Sequence, residues 1–190
     1  MLQQAEKEGV AGFILSSTYR SYAYQSMLFS NKVKALNSEA EAARVVARPG
    51  TSEHQTGLAI DFSSGGAGLS DSFSQTTQGI WLGKNSWKYG FILRYPLEKT
   101  DVTKIIYEPW HFRYVGVPHA RLMTEMGLTL EEYVAWLREC HSQAPLRRRL
   151  GLYEFSMQYH SGTTQPVLPE YGYSQLSRDN CGGWIVTTWR

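Results

Sequence analysis

Two residues with metal-binding side chains stand close together in the stretch from Ser52 to Asp61. An imidazole, His54, and a carboxylate, Asp61, are seven positions apart, and an apolar, strand-like run leads into the carboxylate. Both groups are good zinc ligands, and a catalytic zinc takes three protein ligands and leaves one position open. A third candidate, His111, follows about fifty residues later. Each residue alone fits a loop, surface or core role better, but the ordered set predicts a zinc centre.

A carboxylate three residues before His111 is a candidate general base. On a regular strand, Glu108 and His111 would point to opposite faces. Pro109 lies between them, and its missing N–H and fixed φ favour a bend that turns both side chains toward one site. A carboxylate beside a zinc-activated water can accept its proton and pass it to the leaving amine of a peptide. Glu108 is therefore the predicted base.

Small residues lie between the first two ligands. We interpret Gly57 as allowing the backbone to approach the metal closely and Ala59 as leaving room beside it. Glu53, although adjacent to His54, is expected to be solvated.

The order of these residues resembles that of a known family. Ser-x-His-x-x-Gly-x-Ala-x-Asp followed by Glu-x-Trp-His is similar to the VanY-type D-alanyl-D-alanine carboxypeptidases, which are zinc peptidases of bacterial cell-wall metabolism. The resemblance also includes Tyr19-Arg20-Ser21 with Gln25, Tyr89-Gly90-Phe91, Arg94-Tyr95-Pro96 and Leu130-Glu131-Glu132-Tyr133, and it covers roughly Leu2 to Glu139.

The resemblance implies roles for further residues. Arg20 matches an arginine that stabilises the oxyanion at the scissile carbonyl, a task suited to a permanently charged, rigid fork of donors. Ser52 and Gln25 match positions that bind the substrate peptide, and Trp110 is expected to wall the pocket. Alternatives stay open for all four: a helix-entry arginine paired with a surface acid, a loop cap, a helix-surface residue and a core tryptophan, respectively.

The fold implied by the resemblance is α+β. We expect an antiparallel sheet of four or five strands flanked by helices, with zinc at the open face of the sheet. The hydrophobic pattern agrees, predicting a helix over 23–36 capped by Ser21 and strands over 10–15, 58–62, 105–107 and 112–115. Residues 1–145 are assigned to the catalytic domain and residues 146–190 to a β-rich C-terminal extension packed on it.

Composition sets the remaining bounds. The chain has 190 residues, 42% of them hydrophobic and 19% charged, as in an ordinary globular protein, and its net charge of +2 gives no argument for nucleic acid. No apolar run is long enough to span a membrane. Cys140 and Cys181 are too few for a disulfide scaffold, and whether they are bridged stays open. We expect an extracytoplasmic location, wall- or membrane-associated through a segment outside this sequence, with a cytoplasmic location as the alternative.

The predicted function is zinc-dependent removal of the C-terminal D-alanine from peptidoglycan stem peptides or their precursors. Either vancomycin resistance or ordinary wall remodelling would use this reaction. Within the family, L,D-carboxypeptidase and D-Ala-D-Ala dipeptidase activities are alternatives, and a related phage-type endopeptidase fits the motifs less well. From another class, the domain could be a wall-binding module that keeps zinc without turnover. The sequence does not indicate an oligomeric state.

Overall fold

The first compact unit, residues 1–129, is built around a four-stranded antiparallel sheet. The computed structural model describes residues 1–170 and 172–190. The strands are β1 (Phe13–Ser17), β2 (Ala59–Ser64), β3 (Phe91–Leu93) and β4 (His111–Tyr114), in the order β1-β2-β4-β3. With its helices, this sheet confirms the predicted α+β class.

The two faces of this sheet have different chemistry because successive side chains of a strand alternate between faces. Phe62 of β2 and Phe112 of β4 lie on one face, where their rings pack edge to face with centroids 5.7 Å apart. This pair belongs to the hydrophobic core, together with Trp81 and Leu82. Asp61 and its direct partner across the strands, His111, therefore lie on the opposite face.

Six helices belong to this unit: α1 (Leu2–Lys7), α2 (Tyr22–Leu36), α3 (Glu39–Ala43), α4 (Thr77–Asn85), α5 (Thr100–Thr103) and α6 (Val117–Met126). The helix predicted over 23–36 is confirmed as α2, and so is its cap, because the Tyr24 backbone N–H donates to Ser21 Oγ at 3.2 Å. Among the described residues, no helix has both the length and the apolar character needed to cross a membrane.

One predicted strand is wrong. Residues 105–107 have no strand structure, and the Ile106 backbone N–H donates to the carbonyl of Arg44, just after α3, rather than to a sheet ladder. The apolar pair Ile105 and Ile106 is equally compatible with a half-buried connection, and strand propensity cannot separate the two.

In its described residues, the second compact unit, residues 130–190, contains one helix and a second antiparallel sheet. After α7 (Leu130–Cys140) come β5 (Leu146–Leu150), β6 (Tyr153–Ser161), β7 (Tyr173–Arg178) and β8 (Gly183–Trp189), in the order β5-β6-β8-β7. The predicted β-rich character of this region is confirmed, and both cysteines are free and exposed. The assignment of catalysis to residues 1–145 and of an extension to residues 146–190 stays a prediction.

Candidate metal centre

Three consecutive features of the chain place the candidate ligands. A 3-10 turn over Glu53–Thr56 carries His54, and β2 begins three residues after this turn. Gly57 ends the turn with a φ of 72°, in the left-handed region that favours glycine, and a Cβ there would meet nothing within 4 Å. Gly57 therefore has a conformational reason to be glycine, and its close approach to a bound metal stays an interpretation.

The structure brings His54, Asp61 and His111 together in a buried cluster. Their potential ligand atoms all lie within 4.8 Å of one another. His54 Nε2 is 3.2 Å from Asp61 Oδ2, and His111 Nδ1 is 3.1 Å from Asp61 Oδ1. The ligands of a tetrahedral zinc with bonds of about 2.0–2.1 Å are separated by about 3.3 Å, so the spacing of His111 Nδ1 and Asp61 Oδ1 suits a zinc ion.

Two atoms of the cluster are buried without a hydrogen-bond partner: His54 Nε2 and Asp61 Oδ1. Leaving buried polar atoms unpaired costs roughly 1–3 kcal/mol each, so native structures seldom do so without another reason. A cation bound between the three side chains would satisfy both atoms. The residues present therefore fit a zinc ion, on chemistry as well as on spacing.

The remaining hydrogen bonds determine which nitrogen each imidazole offers. His54 Nδ1 lies 2.6 Å from the carbonyl of Thr18, which can only accept, so Nδ1 carries the proton and Nε2 is free to bind a metal. His111 has the opposite arrangement, because its Nε2 lies 3.4 Å from Glu53 Oε2. The two histidines therefore present different nitrogens to the same point.

Charge in the cluster is strongly coupled. Burial alone would raise the pKa of Asp61, but the adjacent imidazoles of His111 and His54 outweigh it and hold that pKa well below its usual range. Burial likewise opposes charge on His111, yet the carboxylates of Asp61 and Glu53 beside its two ring nitrogens raise its pKa to about 9. The cluster thus holds one carboxylate as an anion, which is the form that binds a metal.

Glu108 lies beside this cluster because of a tight turn. The His111 backbone N–H donates to the Glu108 carbonyl at 3.1 Å, closing a turn with Pro109 in its first central position. This confirms the predicted bend. Glu108 Oε2 is 3.6 Å from His111 Nδ1, and the side chain is buried. Burial, with the nearby negative charges of Asp61 and Glu53, raises its pKa to about 7 against the opposing charge of His111.

Arg20 reaches the same cluster from the end of β1. Its Nη2 donates to Asp61 Oδ2 at 2.7 Å, its Nε to Ser17 Oγ at 2.8 Å, and its Nη1 to Gln25 Oε1 at 3.4 Å. Its backbone N–H also donates to the carbonyl of His54 at 3.1 Å. The guanidinium is thus fixed next to a candidate ligand rather than paired with a surface acid.

The three predicted substrate contacts occupy different environments. Gln25 is fully buried, and besides its contact with Arg20 its amide donates to the carbonyl of Ala47 at 2.8 Å, so it is not a helix-surface residue. Ser52 is buried just before the turn that carries His54. Trp110 packs against the hydrophobic cluster of Phe62 and Phe112. Their contacts with substrate stay predictions.

Sequence reasoning missed Glu53. The expectation that it is solvated is wrong, because only 12% of its side chain is accessible. Its Oε1 accepts from Arg94 Nε at 2.8 Å and lies 3.0 Å from Arg113 Nη1. Burial opposes the charge, but the hydrogen bond from His111 and the two arginines lower its pKa to about 2. The sequence offers one signal that Glu53 has a partner: two arginines lie near motif residues. They are Arg94, in Arg94-Tyr95-Pro96, and Arg113, two residues after His111.

An antiparallel sheet with a buried His-Asp-His cluster on one face, and a carboxylate beside it, defines a candidate zinc hydrolase. The family model described as VanY, D-alanyl-D-alanine carboxypeptidase, matches residues 1–117. The chain belongs to this family.

Curated relatives extend the match. The chain is 50% identical over 135 residues to the putative carboxypeptidase YodJ of Bacillus subtilis (strain 168), covering 70% of the chain and 49% of YodJ. It is 36% identical over 189 residues to a D-alanyl-D-alanine carboxypeptidase of Enterococcus faecium, covering 98% of the chain and 57% of that protein. The chain therefore spans about half the length of these relatives.

Solved structures share the fold. The vancomycin resistance D,D-dipeptidase VanXYg, in complex with a D-Ala-D-Ala phosphinate analogue, has a TM-score of 0.88 and 31% identity, covering 100% of this chain and 79% of that one. The LdcB LD-carboxypeptidase has a TM-score of 0.66 and 49% identity, and the match covers 71% of this chain and 63% of that one. A variant of the D,D-pentapeptidase VanY in complex with Zn(II) has a TM-score of 0.61 and 40% identity, and the match covers 70% of this chain and 76% of that one.

Proposed function

We propose that this protein is a zinc-dependent peptidase that removes the C-terminal D-alanine from peptidoglycan stem peptides. The observation that carries the proposal is the buried cluster of His54, Asp61 and His111, in which two ligand atoms have no hydrogen-bond partner. Membership of the VanY family supports the substrate class. Catalysis is assigned to residues 1–145, and residues 146–190 are proposed as an extension without a catalytic role.

The proposed ligands are His54, Asp61 and His111. A zinc ion with three protein ligands and an open position supplies a Lewis acid and activates water at neutral pH. Asp61 Oδ2 is already engaged by Arg20, so Oδ1, which has no hydrogen bond, is the oxygen that we propose for the metal.

Glu108 is proposed to accept the proton of the attacking water and return it to the leaving amine. Its pKa of about 7 is close to the pH at which a group accepts and releases protons most effectively. Its burial keeps the carboxylate out of bulk water. Its Oε2 is 3.6 Å from His111 Nδ1, close enough to the proposed metal site to reach a water held there.

Arg20 is proposed to bind the carbonyl oxygen as negative charge develops on it. A guanidinium has five N–H donors. Three of them meet Ser17, Gln25 and Asp61, so among the described residues two stay available for a substrate oxygen. Gln25 is proposed to support substrate binding by holding Arg20, and Ser52 and Trp110 are proposed to contact the peptide.

The choice among related substrates rests on similarity. D,D-carboxypeptidase activity follows the family description, whereas the LdcB LD-carboxypeptidase, at 49% identity, favours an L,D-specific enzyme as the second candidate. A D,D-dipeptidase is the third, through VanXYg. The pentapeptide and tetrapeptide stems are parts of the cell wall, which supports an extracytoplasmic site of action in resistance or wall remodelling, whereas the free dipeptide fits the cytoplasmic alternative.

The test is D-alanine release from a pentapeptide stem, a tetrapeptide stem and free D-alanyl-D-alanine, each with and without a chelator. Chelator-sensitive release, restored by added zinc, is expected from the pentapeptide. Release from the tetrapeptide alone would replace the D,D assignment with L,D specificity. No release from any substrate, by protein that contains zinc, would overturn the enzymatic proposal in favour of a wall-binding module.

A further inference from the structure

Glu53 divides its two oxygens between different partners. Oε1 faces two arginines, with Arg94 Nε at 2.8 Å and Arg113 Nη1 at 3.0 Å. Oε2 faces His111 Nε2 at 3.4 Å. The arginines therefore hold the carboxylate by one oxygen and turn the other toward the imidazole.

The His111 ring is restrained from more than one side. Tyr95 packs on it with ring centroids 4.9 Å apart, and the Arg94 guanidinium lies 4.9 Å from the Tyr95 ring centroid. Arg94 thus contacts two of the groups that lie against the ring, Glu53 and Tyr95. The Arg94 side chain is only 9% accessible, so these contacts lie inside the protein.

The residues around the His111 ring come from separate segments of the chain. Glu53 directly precedes the candidate ligand His54, Arg94 follows β3, and Arg113 lies on β4 two residues after His111. Metal-binding histidines generally donate their second ring N–H to a carboxylate or carbonyl, which fixes the tautomer and the ring orientation. Thr18 provides this contact for His54.

We propose that Glu53 is the positioning residue of the metal centre, which holds His111 as the tautomer with Nδ1 free and aims that nitrogen at the point shared with His54 and Asp61. This inference rests on the zinc site of the proposed function. In this role Glu53 contacts neither the substrate nor the reacting atoms, because Oε1 is held by the two arginines and Oε2 by His111.

A purely structural role for Glu53 makes a different prediction. If Glu53 only neutralised Arg94 and Arg113, its loss would lower the stability of the metal-free protein and leave the zinc affinity of the folded protein unchanged. If it positions His111, the affinity falls and the geometry around the metal changes. Loss of such contacts typically weakens metal affinity by about 10–100-fold.

The experiment measures zinc affinity by chelator competition for the wild type, Glu53→Gln, Glu53→Asp and the control Glu39→Gln. Glu39 also pairs with an arginine, Arg48, but this pair is exposed and its contacts do not include the metal cluster. Glu53→Asp keeps the negative charge and moves it away from His111 by one methylene. Cobalt absorption spectra and melting of the metal-free proteins are recorded for the same set.

We expect Glu53→Gln to bind zinc about 10–100-fold more weakly and to shift the cobalt spectrum, with Glu53→Asp intermediate and Glu39→Gln unchanged. Equal affinities and spectra for the folded Glu53 variants and the wild type would overturn the role of Glu53 while leaving the zinc site intact. A wild type that does not bind zinc would instead overturn the proposed function.

A measurement on the wild type protects the test against variants that do not fold. In zinc-loaded protein with ¹⁵N-labelled histidine, we expect a His111 Nε2–H proton that is hydrogen-bonded and slow to exchange with water. Fast exchange of this proton would mean that Glu53 does not hold it, and the proposal would fail.

Discussion

Each of the two units contains an aspartate whose side chain is almost inaccessible to solvent and is held as an anion, and the two differ in how they are paired. Asp61 in the first unit is in contact with Arg20, His54 and His111, yet its Oδ1 has no hydrogen-bond partner. Asp179 in the second unit has both oxygens fully used. The difference separates a carboxylate prepared for a ligand from one that holds the fold.

The pairing of Asp179 is complete. Its Oδ1 accepts from the backbone N–H groups of Cys181 at 2.8 Å and Gly183 at 2.7 Å. Its Oδ2 accepts from Tyr159 Oη at 2.9 Å and Arg138 Nη2 at 3.1 Å. This aspartate closes the turn between β7 and β8 and ties it to α7 and β6.

Both aspartates have a pKa below the ordinary value, so the shift alone does not reveal which one is functional. For Asp179, burial raises the pKa, but backbone hydrogen bonds from Gly183 and Cys181, with Tyr159 and Arg138, lower it to about 2. What distinguishes Asp61 is the combination of unpaired buried atoms with two imidazoles and a second carboxylate, Glu108, whose pKa moves the other way. Opposite shifts in neighbouring acids are typical of sites that move protons.

The largest expected effect is on turnover in Glu108→Ala. Loss of the general base should lower kcat by about 10²–10⁴-fold, while zinc remains bound because the three proposed ligands are intact. The measurement is D-alanine release together with zinc content. Glu125→Ala, which removes an exposed partner of Arg121, is the matched control and should leave both values unchanged. Loss of zinc with activity in Glu108→Ala would make Glu108 a ligand or a fold determinant instead.

Arg20→Lys should have the next largest effect. Lysine keeps the charge but cannot reproduce the fork that meets Ser17, Gln25 and Asp61 while also reaching a substrate oxygen. We expect kcat to fall by about 10²–10³-fold, as for the loss of other oxyanion donors. Steady-state kinetics on the active substrate would check this, and wild-type kcat with a raised KM would limit Arg20 to substrate binding.

Asp179→Asn should change stability and not metal binding. The amide can accept through only one oxygen, so two of the four donors around it lose their acceptor, and the free energy of unfolding should fall by about 1–3 kcal/mol. Denaturant unfolding and zinc titration of the same protein would separate the two properties. A loss of zinc affinity in folded Asp179→Asn would break the distinction between the two aspartates.

The pH dependence of unfolding tests the structural role of Asp179 with a smaller expected effect. The folded pKa of Asp179 is about 2 and its ordinary value is 3.8, so its stabilising contribution is present above about pH 4 and is lost as pH falls through about 2. The pH dependence of unfolding should therefore become shallower in Asp179→Asn between about pH 4 and 2. An unchanged slope over that range would show that Asp179 does not contribute.

The sequence was sufficient for the proposed ligands and the bend at Pro109, because those residues lie in long ordered motifs and because Pro109 constrains the backbone locally. It was insufficient for Glu53. The direction of a side chain next to a ligand depends on the 3-10 turn, and its partners Arg94 and Arg113 are distant in the chain. Their meeting is a property of the sheet order.

Gln25 and Asp179 show the same limit in other forms. The substrate contact that the resemblance implies for Gln25 stays a prediction, but the resemblance did not indicate that this side chain is buried between Arg20 and the carbonyl of Ala47. The Asp-Asn-Cys-Gly-Gly run at 179–183 is typical of a turn and connects β7 to β8, but the run alone does not indicate the four donors that meet on one carboxylate. Local patterns specify local geometry, and burial and hydrogen-bond networks depend on packing between segments.

The most direct test of the central claim is the number of zinc ions bound per chain in the wild type and in His111→Ala, measured after dialysis against limiting zinc. The wild type should bind about one zinc per chain, and His111→Ala, shown to be folded by circular dichroism, should lose most of it because one of three protein ligands is gone. Full retention of zinc in His111→Ala, or no zinc in the wild type, would contradict the metal centre proposed for the Asp61 cluster.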